Sequence, residues 1–212
     1  GVTADRNNMS GMQVGRKGSS LVADSSSASS NNLAGVVCAE GASTSLSSVT
    51  VDKNEGFGMG VVEKGSSLVA DSSSASSNNQ RGVLCEQGGS ASLSGVTADK
   101  NEGGGMGVRG KGSSLMVSYS SSASSNKQAG VVCWEGASAS LSSVTADKSG
   151  EHGWKVSDQG SWLVARSSCA KDNSSTNAKE WLGGRILCLS DEPPCDLGGQ
   201  RVEYVDGVGR PK

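Results

Sequence analysis

The chain repeats itself. The segment GSSLVADSSSASSNNLAGVVCAEGASTSLSSVTVDKNEGFGMG from Gly18 returns as GSSLVADSSSASSNNQRGVLCEQGGSASLSGVTADKNEGGGMG from Gly65, at an offset of 47 residues. A third copy starts at Gly112 with the same offset and gains one residue before Cys133. A fixed period of this size marks a solenoid, in which each unit lacks a core of its own and buries its apolar side only by stacking on its neighbours. The opening GVTADRNNMSGM matches GVTADKNEGGGM at Gly95 at twice the period, so the text begins in mid-repeat and is expected to be a fragment or processed part of a longer chain.

Each period divides into two unequal halves. The shorter runs from Gly60 to Arg81 and the longer from Gly82 to Met106. Both open on Gly-Val, and both carry a Leu fourteen residues before the next such Gly: Leu68 and Leu93. Within a unit, Val96, Thr97, Ala98 and Asp99 alternate apolar and polar, the pattern of a short half-buried strand. Gly103 to Gly105 then permit a tight corner. Ser, Gly, Thr, Val and Asn dominate throughout, and they are poor helix-interior residues. With 31 Gly and a single Phe, the core has to be built from small side chains. The expected fold is all-β: a β-solenoid of about eight coils, each roughly 22–25 residues long.

The texts LSGVTADKNEGGGMGV from Leu93 and LSSVTVDKNEGFGMGV from Leu46 resemble the right-handed parallel β-helix family of pectate-lyase-like proteins. The resemblance covers residues 1 to about 182 and speaks to fold more than to activity. A leucine-rich repeat fits Leu93, Val96, Ala98 and Asn101, but the polar and Gly residues Glu102 to Gly105 lack the leucines that repeat needs next. The domain expectation is therefore 1–182 as parallel β-helix repeats and 183–212 as an irregular C-terminal cap. Pro193 and Pro194 break the pattern there, and a Cys188–Cys195 bridge is expected to close the end.

Stacking turns repeated residues into ladders. Cys38, Cys85 and Cys133 recur every second coil, about 9.6 Å apart, too far for disulfides and suited to buried apolar filling. Thr3, Thr50, Thr97 and Thr145 face out with Asp5, Asp52, Asp99 and Asp147, each Asp followed by Arg6, Lys53, Lys100 or Lys148 as a local counter-charge. Asn8, Asn54 and Asn101, with Asn31, Asn78 and Asn126 in alternate units, are expected as corner asparagines. The serine runs from Ser25, Ser72 and Ser120 read as a polar face of each coil. The cysteines leave the compartment open, since the ladder thiols suit a reducing cell and a bridged tail an oxidising one.

Function is less constrained. Nineteen basic and 21 acidic residues leave a formal charge of −2 and no basic face, which argues against nucleic acid as a partner. No apolar run reaches the ~18 residues of a membrane span. No nucleophile elbow, phosphate loop, zinc spacing or second His for His152 is present, so no catalytic residue, metal or cofactor is assigned. The repeat breaks at Tyr119, Trp134 and Trp162, which replace residues expected to be exposed. These three are the candidate binding residues, for a sugar ring or a protein partner, while Trp154 replaces Met12, Met59 and Met106 as a core plug. The expectation is a non-catalytic scaffold that binds glycan or serves as a structural subunit of a larger assembly. The alternative is a carbohydrate-active enzyme, a polysaccharide lyase, hydrolase or epimerase. The resemblance implies Asp, Arg or Lys clusters for such an enzyme, and Asp158, Arg166 and Asp172 fall in one unit.

Overall fold

The computed structural model describes residues 1–189 and the backbone of a short strand at 203–205, and among these residues there is no helix. Parallel strands stack into three faces. The first holds eight strands, from Met12–Val14 through Met59–Val62 and Met106–Arg109 to Thr176–Trp181. The second holds nine, eight from Ser20–Asp24 through Ser67–Asp71 and Ser114–Ser118 to Arg185–Leu189 and Glu203–Val205 as the ninth. The third is a thin line of bridges from Thr3 through Ser27, Thr50, Ser74 and Thr97 to Ser122, continued by Thr145 and Cys169. Eight stacked strands on one face make seven full turns of a β-solenoid. Stacking continues past residue 182, because Arg185–Leu189 pairs in parallel with Trp162–Arg166. Residues 190–202 and 206–212, which include much of the expected cap, lie outside the described residues.

The phase of the coils differs from the Gly-Val alignment. Met59 pairs with Val83, and Gly60 with Leu84 rather than with Gly82. The turns are nearly equal in length, with Met12 on Val36, Val36 on Met59 and Met106 on Val131, rather than alternately short and long. The reason is size. Leu68 stacks on Ala91, and Leu93 stacks on Ala70. Leu46 lies between Ala23 and Ala70, and Leu115 between Ala91 and Ala139. Each of these coils carries one Leu on this inner face, at alternating positions, so these leucines meet Ala, Val or Thr across the ~4.8 Å strand spacing. Only near the C-terminal end does a large residue meet another, Leu163 on Ile186. The first face does the same, with Met12, Met59, Met106 and Trp154 alternating with Val36, Val83 and Val131. Trp154 is fully buried there, as a plug in a methionine position. The double-coil period is therefore the shortest repeat that preserves this complementarity. Truncating Leu93 to Ala should lower the unfolding free energy by about 2–5 kcal/mol. Ala91→Leu, wedged between Leu68 and Leu115, should cost about 1–3 kcal/mol. Urea denaturation of both variants against wild type measures this.

Polar ladders close the corners. Asn31, Asn54, Asn78, Asn101 and Asn126 form one continuous buried file, one per coil. The Oδ1 of each accepts the backbone N–H of the Asn one coil before it, at 2.9 Å for the pairs Asn31–Asn54 and Asn101–Asn126. The file begins at Asn7, whose N–H donates to Asn31 at 2.9 Å, and not at the neighbouring Asn8. Gly82 is required beside it, since a Cβ there would stand 2.8 Å from Asn101 Nδ2 and 2.8 Å from Ala98 Cβ. On the third face the Asp file is also structural. Asp52 Oδ1 accepts the Ser74 hydroxyl and the Ser76 N–H, both at 2.7 Å, and Asp5 and Asp99 hold the equivalent serines. The expected pairing with Arg6, Lys53, Lys100 and Lys148 is replaced by these bonds, for those cations sit at positive φ (58°, 60°, 58° and 56°), on the bend that follows each Asp.

The asparagine file breaks at Ser149. Its shorter side chain leaves both Ser149 Oγ and Asn126 Nδ2 buried without a partner. Ser149→Asn is expected to restore the missing rung and raise stability by about 0.5–1.5 kcal/mol, the net worth of a typical hydrogen bond. A lower urea midpoint for this variant than for wild type would show that the pocket cannot take the amide.

Candidate functional site

The aromatic residues mark the irregular part of the stack, so the site is built from them. Tyr119 stands at the bend after Ser114–Ser118, at φ 52°, and is 77% exposed. Trp134 ends a strand of the first face and stacks on the Arg81 guanidinium, 4.8 Å from the ring centroid. Burial lowers the Arg81 pKa from its ordinary value, and nearby Glu151 opposes that shift. Gly107 lies beneath this pair: a Cβ there would come within 2.9 Å of Arg81 Cδ and 3.1 Å of Trp134. Trp134 and Arg81 thus lie flat across two coils, a stacking that stabilises by about 0.5–2 kcal/mol depending on desolvation. Trp162 opens a strand of the second face, in line with Ser138 and Ser114, and is 52% exposed. Tyr119 follows the far end of the strand that Ser114 begins, so Tyr119 and Trp162 occupy opposite margins of this face. The three candidates do not converge.

Trp162 shares a cleft with Trp181 instead. Two successive corners between the first and second faces, Gln159–Trp162 and Glu180–Arg185, line a cleft of about 980 Å³. Gly160 and Gly183 turn these corners at φ 85° and 86°. Trp181 is 54% exposed, and its ring lies 5.9 Å from Lys155 Nζ. Gln159, Glu180 and Arg185 add polar groups to the wall. Glu180 is partly committed to the fold, since its Oε1 accepts the Ile186 N–H at 2.6 Å. Trp181 stands one double-coil period after Trp134, in the same outward file of the first face. That offset is the signal in the sequence that could have found it.

The residues of an enzymatic cluster are spread apart. Asp158 belongs to the corner after the first face, where its Oδ2 accepts the Glu135 N–H at 3.3 Å. Arg166 closes a strand of the second face, and Asp172 lies past the third. His152 Nδ1 sits 2.7 Å from Thr176 Oγ1 on the first face. Burial and then Lys155 push its pKa below the ordinary value.

The cysteines correct one expectation. Cys188 is a free, buried thiol, so the Cys188–Cys195 bridge is not formed; Cys195 lies outside the described residues. Cys188 stacks directly on Ala165 in the inner file of the second face, which turns its thiol inward. Among the described residues, Cys169 is engaged in a disulfide. Cys38, Cys85 and Cys133 are buried and free, alternating with Val61 and Val108 along the stack. Burial pushes the Cys85 thiol up to about 11 and Cys133 up to about 12. These folded thiols therefore stay protonated at pH 8. The stability they confer is complete below about pH 9, where the unfolded thiol begins to ionise, and is lost as pH rises from there through about 11–12. A thiol-reactive dye at pH 8 should label none of Cys38, Cys85, Cys133 and Cys188 rapidly in the native protein and all four in denaturant. Fast native labelling at Cys85 would mean that the core opens readily.

A family model described as right handed beta helix region matches residues 2–121, more than half of the chain. No curated protein sequence matches it. With parallel faces, strands paired in register one coil apart and this match, the chain belongs to the right-handed β-helix family.

Proposed function

We propose that this β-helix is a non-catalytic scaffold that binds glycan at the cleft between Trp162 and Trp181. The observation that carries the reading is the pair of half-exposed indoles on one cleft. A pyranose ring offers an apolar C–H face and a rim of hydroxyls. The indoles match the first, and Gln159, Arg185 and the remaining oxygen of Glu180 match the second. A volume of about 980 Å³ is at the upper end of small-ligand pockets, which suits a short run of sugar units rather than one. Two rings spaced along a cleft also explain why the candidates named from sequence do not act together. Trp134 is already stacked on Arg81, and Tyr119 lies at the other margin of the second face.

Glu180 is the one carboxylate on the cleft wall among the described residues. Acid–base cleavage of a glycosidic bond ordinarily needs two carboxyl groups in different environments. That supports binding over hydrolysis.

Calorimetric titration with a panel of defined oligosaccharides tests the proposal. Trp162→Ala and Trp181→Ala are each expected to weaken binding at least tenfold, as for aromatic hot spots, while Tyr119→Ala leaves it unchanged. Polymer length, followed by viscosity, should stay constant during incubation. Binding that survives loss of both indoles overturns the site, and a fall in viscosity overturns the non-catalytic reading.

A further inference from the structure

The outer side of the second face is rich in serine and studded with exposed apolar residues. Along its central file, strand by strand, stand Val22, Ser45, Val69, Ser92, Met116 and Ser140, followed by Val164 and Leu187. Val22 is 77% exposed, Val69 51% and Met116 59%. As far as Val164 a projecting side chain thus recurs every ~9.6 Å, with a serine hollow midway between successive projections. At one margin of the face the file runs from Asp24 through Ser47 and Asp71 to Arg166. Among the described residues none of Asp24, Asp71 and Arg166 makes an ion pair.

We propose that this face packs against the same face of a second copy, with the two stacks antiparallel about a two-fold axis parallel to the strands. The register follows from the side chains. When Ser114–Ser118 of one copy lies over Ser90–Ser94 of the other, Met116 enters the hollow at Ser92 of the second copy. Val69 then enters the hollow at Ser140, and Val164 the hollow at Ser45. Val22 meets Leu187 at the two ends of the interface, an apolar pair where the alternation stops. The same register sets Arg166 over Ser47 of the second copy, one strand spacing from both Asp24 and Asp71. Size and charge are satisfied by one offset, and the symmetry makes each contact twice, as an isologous interface requires. A two-fold axis along the stack fails on both counts. It sets Val22 on Val22, Val69 on Val69 and Met116 on Met116, and it moves the Asp margin away from Arg166.

The paired area bounds the strength. Eight strands at ~4.8 Å and five residues at ~3.3 Å give a face of roughly 34 by 16 Å per copy. Two such faces bury about 1,100 Å², the low end for specific interfaces, so the dimer is weak and reversible. In this register Trp162, which opens its strand on the same face, lies over Ser43 of the second copy, so the dimer covers one indole of the proposed glycan cleft.

Cross-linking with a short bis-maleimide tests the register. Val69 and Ser140 are three strands apart in one chain, about 14 Å, and face each other between copies. The double variant Val69→Cys/Ser140→Cys should yield a covalent dimer, and each single variant should not. Sedimentation equilibrium at several hundred micromolar should show wild-type dimer, reduced at least tenfold in association constant by Arg166→Asp and restored when Asp24→Arg and Asp71→Arg are added. Failure of the double variant to cross-link, equal cross-linking of Val69→Cys alone, or a wild-type monomer at all concentrations overturns the proposal. A monomer whose Val69 and Met116 are instead covered by added polysaccharide also overturns it. Oligosaccharide titration on the same cysteine variants as dilute monomers before cross-linking, with Trp162 and Trp181 intact, reports separately on the cleft.

Discussion

Everything in this molecule depends on the fixed ~4.8 Å step between parallel strands. At that spacing the nearest neighbour of a side chain is its counterpart one coil away, and the counterpart must fit. Two leucines in register would crowd and two alanines would leave a void. Alternation of Leu with Ala, Met with Val and Val with Cys solves both problems, with Trp154 the one aromatic ring in these columns. It also explains how a chain with one Phe fills a core at all. The core is a set of narrow columns, most of which take a large and a small residue in turn, with Leu163 on Ile186 as the departure at the C-terminal end.

The same step governs the polar groups. An Asn buried in every coil places its carbonyl against the N–H of the neighbouring coil, so the ladder both satisfies the amides and locks the register. Asp52 and its equivalents do this on the third face for the serine loops. A polar column has a stricter rule than an apolar one. Where Met becomes Trp154 the column adjusts and leaves one orphaned Nε1, but where Asn becomes Ser149 two groups lose their partners at once. Departures from the repeat in polar columns are therefore the costlier ones.

The fold was legible in the sequence because a long exact repeat leaves few architectures open, and the apolar alternation around Val96 left fewer. The phase was not. Matching Gly-Val with Gly-Val aligned like with like, whereas the stack pairs unlike residues, Gly60 with Leu84 and Leu68 with Ala91. Asn7 and Asn8 are adjacent and identical in type, and only the hydrogen bond from the Asn7 N–H to Asn31 tells which of them begins the file. The site was legible in part. Trp162 is visible as an aromatic in a serine file, but its companion Trp181 needs the coil length before it can be placed one corner further on. Cys188 could be recognised as an inner-file residue only once Ala165 was known to lie beneath it. Spacing in sequence had put it beside Cys195.

A uniform stack has no singular place, and chemistry needs one. The first-to-second-face corners vary in side chain from coil to coil. The last two bring Trp162, Trp181, Leu182 and Arg185 onto one cleft, Trp162 out of a serine file and Trp181 out of the file of Arg109 and Trp134. Because those residues lie on corners and outer faces, they sit outside the columns that hold the fold, and the core continues beneath them through Leu163 and Ile186 without interruption. This separation is what lets a solenoid acquire a recognition site at one end without altering its period. It also divides the labour of the surface: the regular second face offers a repeating relief that another regular surface can match, and the irregular corner offers a cleft that a small, chemically distinct ligand can fill.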